Sequence, residues 1–189
     1  MHTRRPAIAA VVIVLAPILA EPATAEVVSV AGNGFEVRET AHTAAAPDKV
    51  YAEILLPAQW WSSDHTFSGS AANLVLEARA GGCWCETLTS GGSVEHLRVV
   101  LVAPGKMLRM RGALGPFQGL GVDGVMTWSV KSAVGGGTDI DLTYAVGGFV
   151  KDGFDELSKA ADHVLGLQIQ NLKKLVDGAA AGAPASRGR

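Results

Sequence analysis

The sequence predicts an α+β fold in which a curved antiparallel sheet packs against one long C-terminal helix. Between about residues 74 and 146, apolar and polar residues alternate with a period of two, and glycine or proline turn signals separate the runs. Residues 151–177 instead repeat at 3.6 residues per turn. Strands joined by short turns pair antiparallel, and the terminal helix is the only predicted element long enough to cover the apolar face that they form.

The chain from residue 34 to residue 65 predicts one strand followed by a helical excursion. Residues 34–43 alternate as a half-buried strand does. Pro47 suits the first turn of a helix, apolar residues then recur at helical spacing, and Pro57 closes the segment. We expect residues 59–65 to form a second short turn that opens into a polar loop.

The strand pattern then continues to the start of the terminal helix. Turn signals at residues 90–92, 104–105 and 135–137 predict tight connections between neighbouring strands. The predicted strands begin at Leu74 and continue with residues 83–87, 94–103, 106–114, 126–130 and 138–146.

The sequence of residues 151–177 predicts both the ends of the terminal helix and its buried side. Acidic residues in its first turn and basic residues in its last turn agree with the helix dipole, and Gly178 is a suitable C′ residue. Gln168 interrupts the apolar stripe, and a buried amide needs hydrogen-bond partners from backbone, water or a ligand. We favour a structural role, in which the protein itself supplies these partners. The predicted apolar side comprises Phe154, Leu157, Ala161, Val164, Leu165, Leu172, Leu175 and Val176; the first-turn acids are Asp152, Asp155 and Glu156, and the last-turn bases are Lys173 and Lys174.

Residues 1–25 have the pattern of a secretory signal peptide. Arg4 and Arg5 precede an apolar run at residues 7–20, and residues 23–25 form a small-x-small cleavage site. A run of about 14 residues is shorter than the roughly 20 that a membrane-spanning helix needs, so an uncleaved anchor is the weaker alternative. We therefore expect cleavage after Ala25, export to the periplasm or the medium, one domain at residues 26–178, and a disordered tail at residues 179–189.

Charge and cysteine content restrict the possible partners. Without Arg4, Arg5 and Glu21, the formal net charge changes from −2 to −3, and no basic patch is present, so we expect no nucleic-acid partner. Cys83 and Cys85 would lie nearly 7 Å apart in a regular strand, at the limit for a disulfide, although a bulge at residues 81–82 would permit one. A disulfide and two free thiols both remain open, and a metal site is disfavoured because two further ligands would have to converge on the pair.

Three short strings resemble one protein superfamily. Residues 46–51, residues 57–61 and the Gly-Gly-Cys-Trp-Cys-Glu string at residues 81–86 are similar to those of the START-like (Bet v 1-like, helix-grip) superfamily of SRPBCC proteins, in its polyketide cyclase and Aha1-C-terminal branch. The resemblance covers residues 34–176 and implies a deep cavity between sheet and helix for lipids, sterols, polyketides or other apolar molecules. The sequence departs from that branch in its export signal and in the cysteines of the last string.

The favoured hypothesis is an exported, non-catalytic protein that binds a small hydrophobic or amphiphilic molecule or a lipid, without a cofactor. We expect His65 and His96 at the surface and residues 119–124 in a mobile loop beside the cavity mouth. The predicted ligand contacts are Trp60, Trp61, Trp84, Glu86, Met110, Phe117, Met126, Trp128, Tyr144 and Gln168.

Two other functions remain open. If Trp84 and Glu86 face inward, desolvation would raise the pKa of Glu86 and suit it to acid–base work in a cyclase, dehydratase or hydrolase, with Tyr144 or Gln168 orienting the substrate. Alternatively Glu86 is solvated near a strand end or paired with an arginine. A protein-binding module, by analogy with the co-chaperone branch, is the third hypothesis.

Overall fold

A computed structural model describes residues 25–181, with side chains for residues 26–179. The predicted signal peptide, apart from Ala25, and residues 182–189 of the predicted tail lie outside the described residues. None of the helices in the described part of the chain is long and apolar enough to cross a membrane.

The described chain forms one curved sheet of eight strands in the order β1-β2-β8-β7-β6-β5-β4-β3. Every neighbouring pair is antiparallel, because short connections join most consecutive strands. The strands are β1 (Ala25–Ala31), β2 (Gly34–Thr43), β3 (Leu74–Leu76), β4 (Cys83–Thr87), β5 (Ser93–Ala103), β6 (Met107–Arg111), β7 (Gly121–Ser132) and β8 (Thr138–Phe149).

Two α-helices complete the fold of the described residues and confirm the predicted α+β class. Helix α1 (Pro47–Ile54) follows β2, and helix α2 (Asp155–Ala181) follows β8. Short 3₁₀ turns occur at Pro57–Gln59, Ser63–His65, Ala71–Asn73 and Gly115–Gly119. Helix α2 packs mainly against β2 and β1, so the segment between α1 and β3 covers other parts of the inner face.

The sequence patterns did not predict β1, so the helical excursion follows the second strand rather than the first. Strand β1 pairs antiparallel with β2 at the edge of the sheet. None of its described side chains is buried, since Val27 is only half-buried and Val28 and Val30 are exposed. Backbone pairing with β2 defines β1 as a strand, and a pattern of alternating apolar and polar residues does not detect it.

The predicted ends of the terminal helix are wrong at both sides. The helix begins at Asp155, so Asp152 precedes its first turn. It continues to Ala181, so Lys173 and Lys174 are not in the last turn and Gly178 is inside the helix rather than at C′. A helical glycine costs only about 1 kcal/mol relative to alanine, and Ala179 to Ala181, assigned to the tail from sequence, are strong helix formers.

Residues 121–124, predicted to belong to a mobile loop, are part of β7. Gly124 lies against the ring of Tyr144, where a Cβ atom would come within 2.6 Å of Cε2. The glycine therefore permits a close approach between a strand and an aromatic ring, as glycines inside strands often do.

One hydrophobic core lies between the inner face of the sheet and the elements that cover it. Within it, Trp60 makes edge-on ring contacts with Trp61 and Trp128, and Trp61 does so with Trp84. Of the predicted helix stripe, Leu157, Val164 and Leu175 are only half-buried, whereas Ile169 is fully buried. Phe154, predicted on the helix, is buried one residue before it begins, and the buried residues within α2 are Ser158, Ala161, Leu165, Gln168, Ile169, Leu172 and Val176.

Candidate ligand-binding cavity

The interior is not completely filled. A cavity of about 330 Å³ lies between α2, the segment after α1, strands β3, β4, β5 and β8, and the turn that contains Phe117. Its wall comprises Trp61, Asp64, His65, Thr66, Phe67, Leu74, Trp84, His96, Leu114, Gly115, Pro116, Phe117, Tyr144, Ala160, Ala161, Val164 and Leu165.

The wall is mostly apolar and aromatic. None of the described lining residues is a lysine or an arginine. Its polar residues are Asp64, His65, Thr66 and His96, and the aromatic residues Tyr144, Trp61 and Trp84 add one hydroxyl and two indole N–H groups. Phe67 is 54% exposed, so this side chain lies where the cavity meets solvent. This combination of an apolar wall and few polar groups is typical of small-molecule sites.

Only part of the predicted aromatic set lines the cavity. Trp61, Trp84, Phe117 and Tyr144 contribute to its wall. The other predicted contacts are buried in the surrounding core: Trp60, Glu86, Met110, Met126, Trp128 and Gln168. Trp60 illustrates the difference, because its indole N–H donates to the carbonyl of Glu53 at 2.8 Å and its ring packs on Trp128.

Tyr144 shapes the wall through two hydrogen bonds of its hydroxyl group. The hydroxyl donates to the carbonyl of Gly112 at 3.0 Å and accepts from the amide of Leu114 at 2.8 Å. Burial raises its pKa, so the ring remains a neutral phenol. Tyr144 thereby holds the turn before Phe117, and its only O–H is already used by the protein.

Gln168 has the structural role that the sequence favoured. It is fully buried, and its Oε1 accepts from the amide of Ser62 at 2.8 Å. Its Nε2 lies 3.0 Å from Nδ1 of His65 and donates to it. The side chain connects α2 to the segment that forms one wall of the cavity.

Glu86 is buried, but it is neither a carboxyl group with a raised pKa nor a carboxylate paired with solvent or an arginine. Its carboxylate accepts from the amides of Phe67, at 3.1 Å, and Ser68, and from Nε2 of His96 at 2.9 Å. Burial alone would raise the pKa of Glu86, but these hydrogen bonds together lower it, so the predicted increase is wrong. Glu86 is an anion held by the protein, and neither solvent nor an arginine is its partner.

His96 was expected at the surface, and that expectation is wrong, since this residue is only 5% exposed. The β4–β5 pairing shifts register between Trp84 and Cys85, whose partners are Leu97 and Glu95. The shift leaves His96 as the extra residue of a β-bulge, so that His96 and Leu97 are both buried. A regular strand would have directed one of these neighbours outward.

The structure contains a disulfide between Cys83 and Cys85, with Cα atoms 5.4 Å apart. The register shift lies between Trp84 and Cys85 rather than at residues 81–82, and the Cα distance is shorter than the nearly 7 Å of a regular strand. Trp84 and Glu86 are buried and both cysteines are half-buried, so the disulfide lies on the outer face of β4, opposite the cavity.

Most lining residues were not predicted, and only some had a signal in the sequence. Ala161, Val164 and Leu165 belong to the predicted apolar side of α2, which indicates a buried face without indicating a cavity. Phe67 lies outside every predicted strand and helix, and Leu114 is the last residue of the predicted strand at residues 106–114. Their positions depend on the tertiary contacts of Glu86 and Tyr144.

Comparisons with known proteins support the fold alone. No protein-family model and no curated protein matches the sequence. The structure is similar to an uncharacterised protein from Rhizobium leguminosarum, with a TM-score of 0.57, 17% identity, and coverage of 84% of this chain and 99% of that one. A protein of unknown function from Staphylococcus aureus gives a TM-score of 0.56 and 16% identity, with coverage of 78% and 96%.

A third similar structure is the di-domain aromatase/cyclase StfQ of the steffimycin biosynthetic pathway. Its TM-score is 0.53 and its identity is 15%, and the match covers 80% of this chain and 53% of StfQ. These similarities agree with a helix-grip type of fold, in which a curved antiparallel sheet surrounds a C-terminal helix.

Proposed function

We propose that this protein binds a small hydrophobic or amphiphilic molecule in the cavity beneath α2, without transforming it. The observation that carries the proposal is the cavity of about 330 Å³ in an otherwise packed core. Protein interiors are normally close-packed, with few voids larger than a water molecule. A largely apolar cavity of this size therefore favours a bound ligand.

The cavity volume limits the size of the ligand. An engineered apolar cavity of about 150 Å³ accommodates benzene. A cavity of about 330 Å³ is roughly twice as large, so it suits a ligand of about two or three fused rings or a short branched lipid. The aromatic wall provides edge and face contacts for such a molecule.

The fold comparison supports this class of function by analogy. StfQ, an aromatase/cyclase of a biosynthetic pathway, is one of the similar structures. Folds of this kind carry many functions, so the analogy supports a ligand-binding cavity and does not identify a reaction.

The hydrogen bonding of the polar groups favours binding over catalysis. The carboxylate of Glu86 accepts three hydrogen bonds from the protein, and Gln168 and Tyr144 are also satisfied internally. Glu86 also does not line the cavity. An acid–base role for Glu86 in a cyclase or hydrolase would first require these hydrogen bonds to break.

Export remains part of the proposal. A disulfide is typical of proteins that mature in oxidising compartments, and it agrees with the signal peptide predicted for residues 1–25. Cell fractionation followed by N-terminal sequencing tests this: we expect a chain beginning at Glu26 in the envelope or the medium. A cytoplasmic protein that retains Met1 would contradict export.

Binding is tested by native mass spectrometry and calorimetry with naphthalene, sterol and lipid panels. We expect one ligand per chain and loss of binding in Val164→Trp, because this half-buried side chain lines the cavity and an indole would fill it. Leu167→Trp is the matched control, since Leu167 is 37% exposed on the same helix and is not a lining residue. Failure to bind any compound of the panel, or wild-type binding by Val164→Trp, would refute the proposal.

A further inference from the structure

Two buried residues of the described cavity wall have a nitrogen atom that the described protein leaves unpaired: Trp84, whose indole N–H can only donate, and His96. The Nε2 atom of His96 contacts Glu86, whereas its Nδ1 is buried and has no hydrogen-bond partner in the described chain. Unpaired buried nitrogen atoms are costly and uncommon in native proteins. The ring lies in the cavity wall between Phe67 and Trp84, with centroids 5.9 and 6.0 Å away.

The environment of His96 decides which nitrogen carries the hydrogen atom. The carboxylate of Glu86 is already an acceptor from two backbone amides, so Nε2 must donate to it. Burial lowers the pKa of His96 despite the opposing effect of Glu86, so the ring is neutral near pH 7. A neutral imidazole with a hydrogen on Nε2 has a lone pair on Nδ1, and Nδ1 can only accept.

The rest of the wall selects the charge of the ligand. Asp64 is the carboxylate among the lining residues, and none of the described lining residues supplies a lysine or arginine. A carboxylate ligand would meet the lone pair of Nδ1 without a compensating cation. A neutral molecule with one O–H donor on an apolar ring framework meets both requirements.

We propose that the cavity binds a hydroxylated ring compound, a phenol or cyclic alcohol, whose O–H donates to Nδ1 of His96. This inference rests on the proposed function, because it specifies the ligand of the same cavity. Glu86 acts through His96 as a positioning residue: it fixes the tautomer and, through the amides of Phe67 and Ser68, the adjoining wall.

The test compares 2-naphthol, 2-methoxynaphthalene and 2-naphthoate by calorimetry at pH 7. These ligands share one ring system but differ in the O–H and in charge. We expect wild-type protein to bind 2-naphthol about three- to tenfold more tightly than 2-methoxynaphthalene, as one net hydrogen bond provides, and to bind 2-naphthoate most weakly. Equal affinity for the first two would overturn this inference and leave the proposed function intact, whereas failure to bind any of the three, and any of the sterol and lipid panels, would overturn both.

Two variants separate the acceptor from the shape of the cavity. His96→Phe should abolish the preference for 2-naphthol while it changes the affinity for 2-methoxynaphthalene by less than about threefold. Phe117→Leu, which alters an apolar part of the same wall, should weaken both ligands alike and keep the preference. A preference that survives in His96→Phe would overturn the assignment of Nδ1.

Histidine ¹⁵N NMR on wild-type protein keeps the inference testable if His96→Phe does not fold. We expect a neutral ring with hydrogen on Nε2, and an upfield shift of Nδ1 with 2-naphthol but not with 2-methoxynaphthalene. A hydrogen on Nδ1 would contradict the proposal. An Nδ1 chemical shift that neither ligand changes would also contradict it, because a water molecule would then occupy the acceptor.

Discussion

Replacing Glu39 with glutamine should remove a large part of the pH dependence of folding stability. Glu39, on β2, is only 1% exposed and its carboxyl group contacts that of Asp162 on α2. Burial, and then the nearby carboxylate of Asp162, raise the pKa of Glu39 from 4.5 to about 8. The folded protein therefore holds a proton on Glu39 at a pH where the unfolded chain has released it.

The sign and size of the effect follow from this difference. Because the folded-state pKa is the higher one, the contribution of Glu39 is fully present below pH 4.5 and is lost as the pH rises to about 8. At about 1.36 kcal/mol for each tenfold change in proton affinity, the loss is at most about 5 kcal/mol. In Glu39→Gln the amide still donates to Asp162 but cannot ionise, so the variant should match wild type near pH 5 and exceed it by several kcal/mol at pH 8.

Urea denaturation followed by tryptophan fluorescence at pH 5, 6.5 and 8 measures this difference. Comparing the two proteins at each pH cancels the titration of other groups, His96 among them. Glu36→Gln is the matched control, since it makes the same substitution at a half-buried position of the same strand. Asp162→Asn should reduce the slope only partly, because burial is the larger cause. A wild-type to Glu39→Gln difference that stays constant from pH 5 to pH 8 would refute the argument.

Three further predictions concern the polar groups around the cavity and the disulfide. Gln168→Leu should lower the free energy of unfolding by about 1–3 kcal/mol, because the amide of Ser62 loses its acceptor; urea denaturation measures this, and an unchanged midpoint would contradict it. Glu86→Gln should speed proteolysis near Phe67, because a neutral acceptor holds the two amides less tightly; equal cleavage rates would show that Glu86 does not hold this wall. Serine at both Cys83 and Cys85 should lower the free energy of unfolding by no more than about 1.5 kcal/mol, since the disulfide closes a very short loop. Ligand affinity should not change, because the bond lies on the outer face of β4, and altered affinity would contradict that placement.

The sheet and the long helix could be predicted because their patterns are local. Alternation along β8 places Ile140, Leu142 and Tyr144 inward, and the structure buries all three. Strand β1 was missed because it is an edge strand whose side chains show no buried face. The helix ends were misplaced because a single glycine is a weak stop when alanines follow it.

The cavity was harder to predict than the fold. Burial of Trp60, Met126 and Trp128 was predictable from their types and spacing, but the same types fill a core and line a cavity. The difference depends on where α2 and the segment after α1 lie over the sheet. His96 was misplaced because a bulge changes the direction of a side chain and leaves no periodic signal in the sequence.

The sequence by itself determined which residues alternate, which repeat as a helix and which carry charge, and these local properties were sufficient for an antiparallel sheet with a C-terminal helix. Tertiary structure alone decided that Glu86 is held as an anion, that His96 faces inward with one nitrogen unpaired, and that a cavity remains beneath α2. The physical reason is that hydrogen-bond partners and unfilled volume depend on contacts between residues distant in the chain, such as Gln168 and Ser62, whereas periodicity depends only on neighbours.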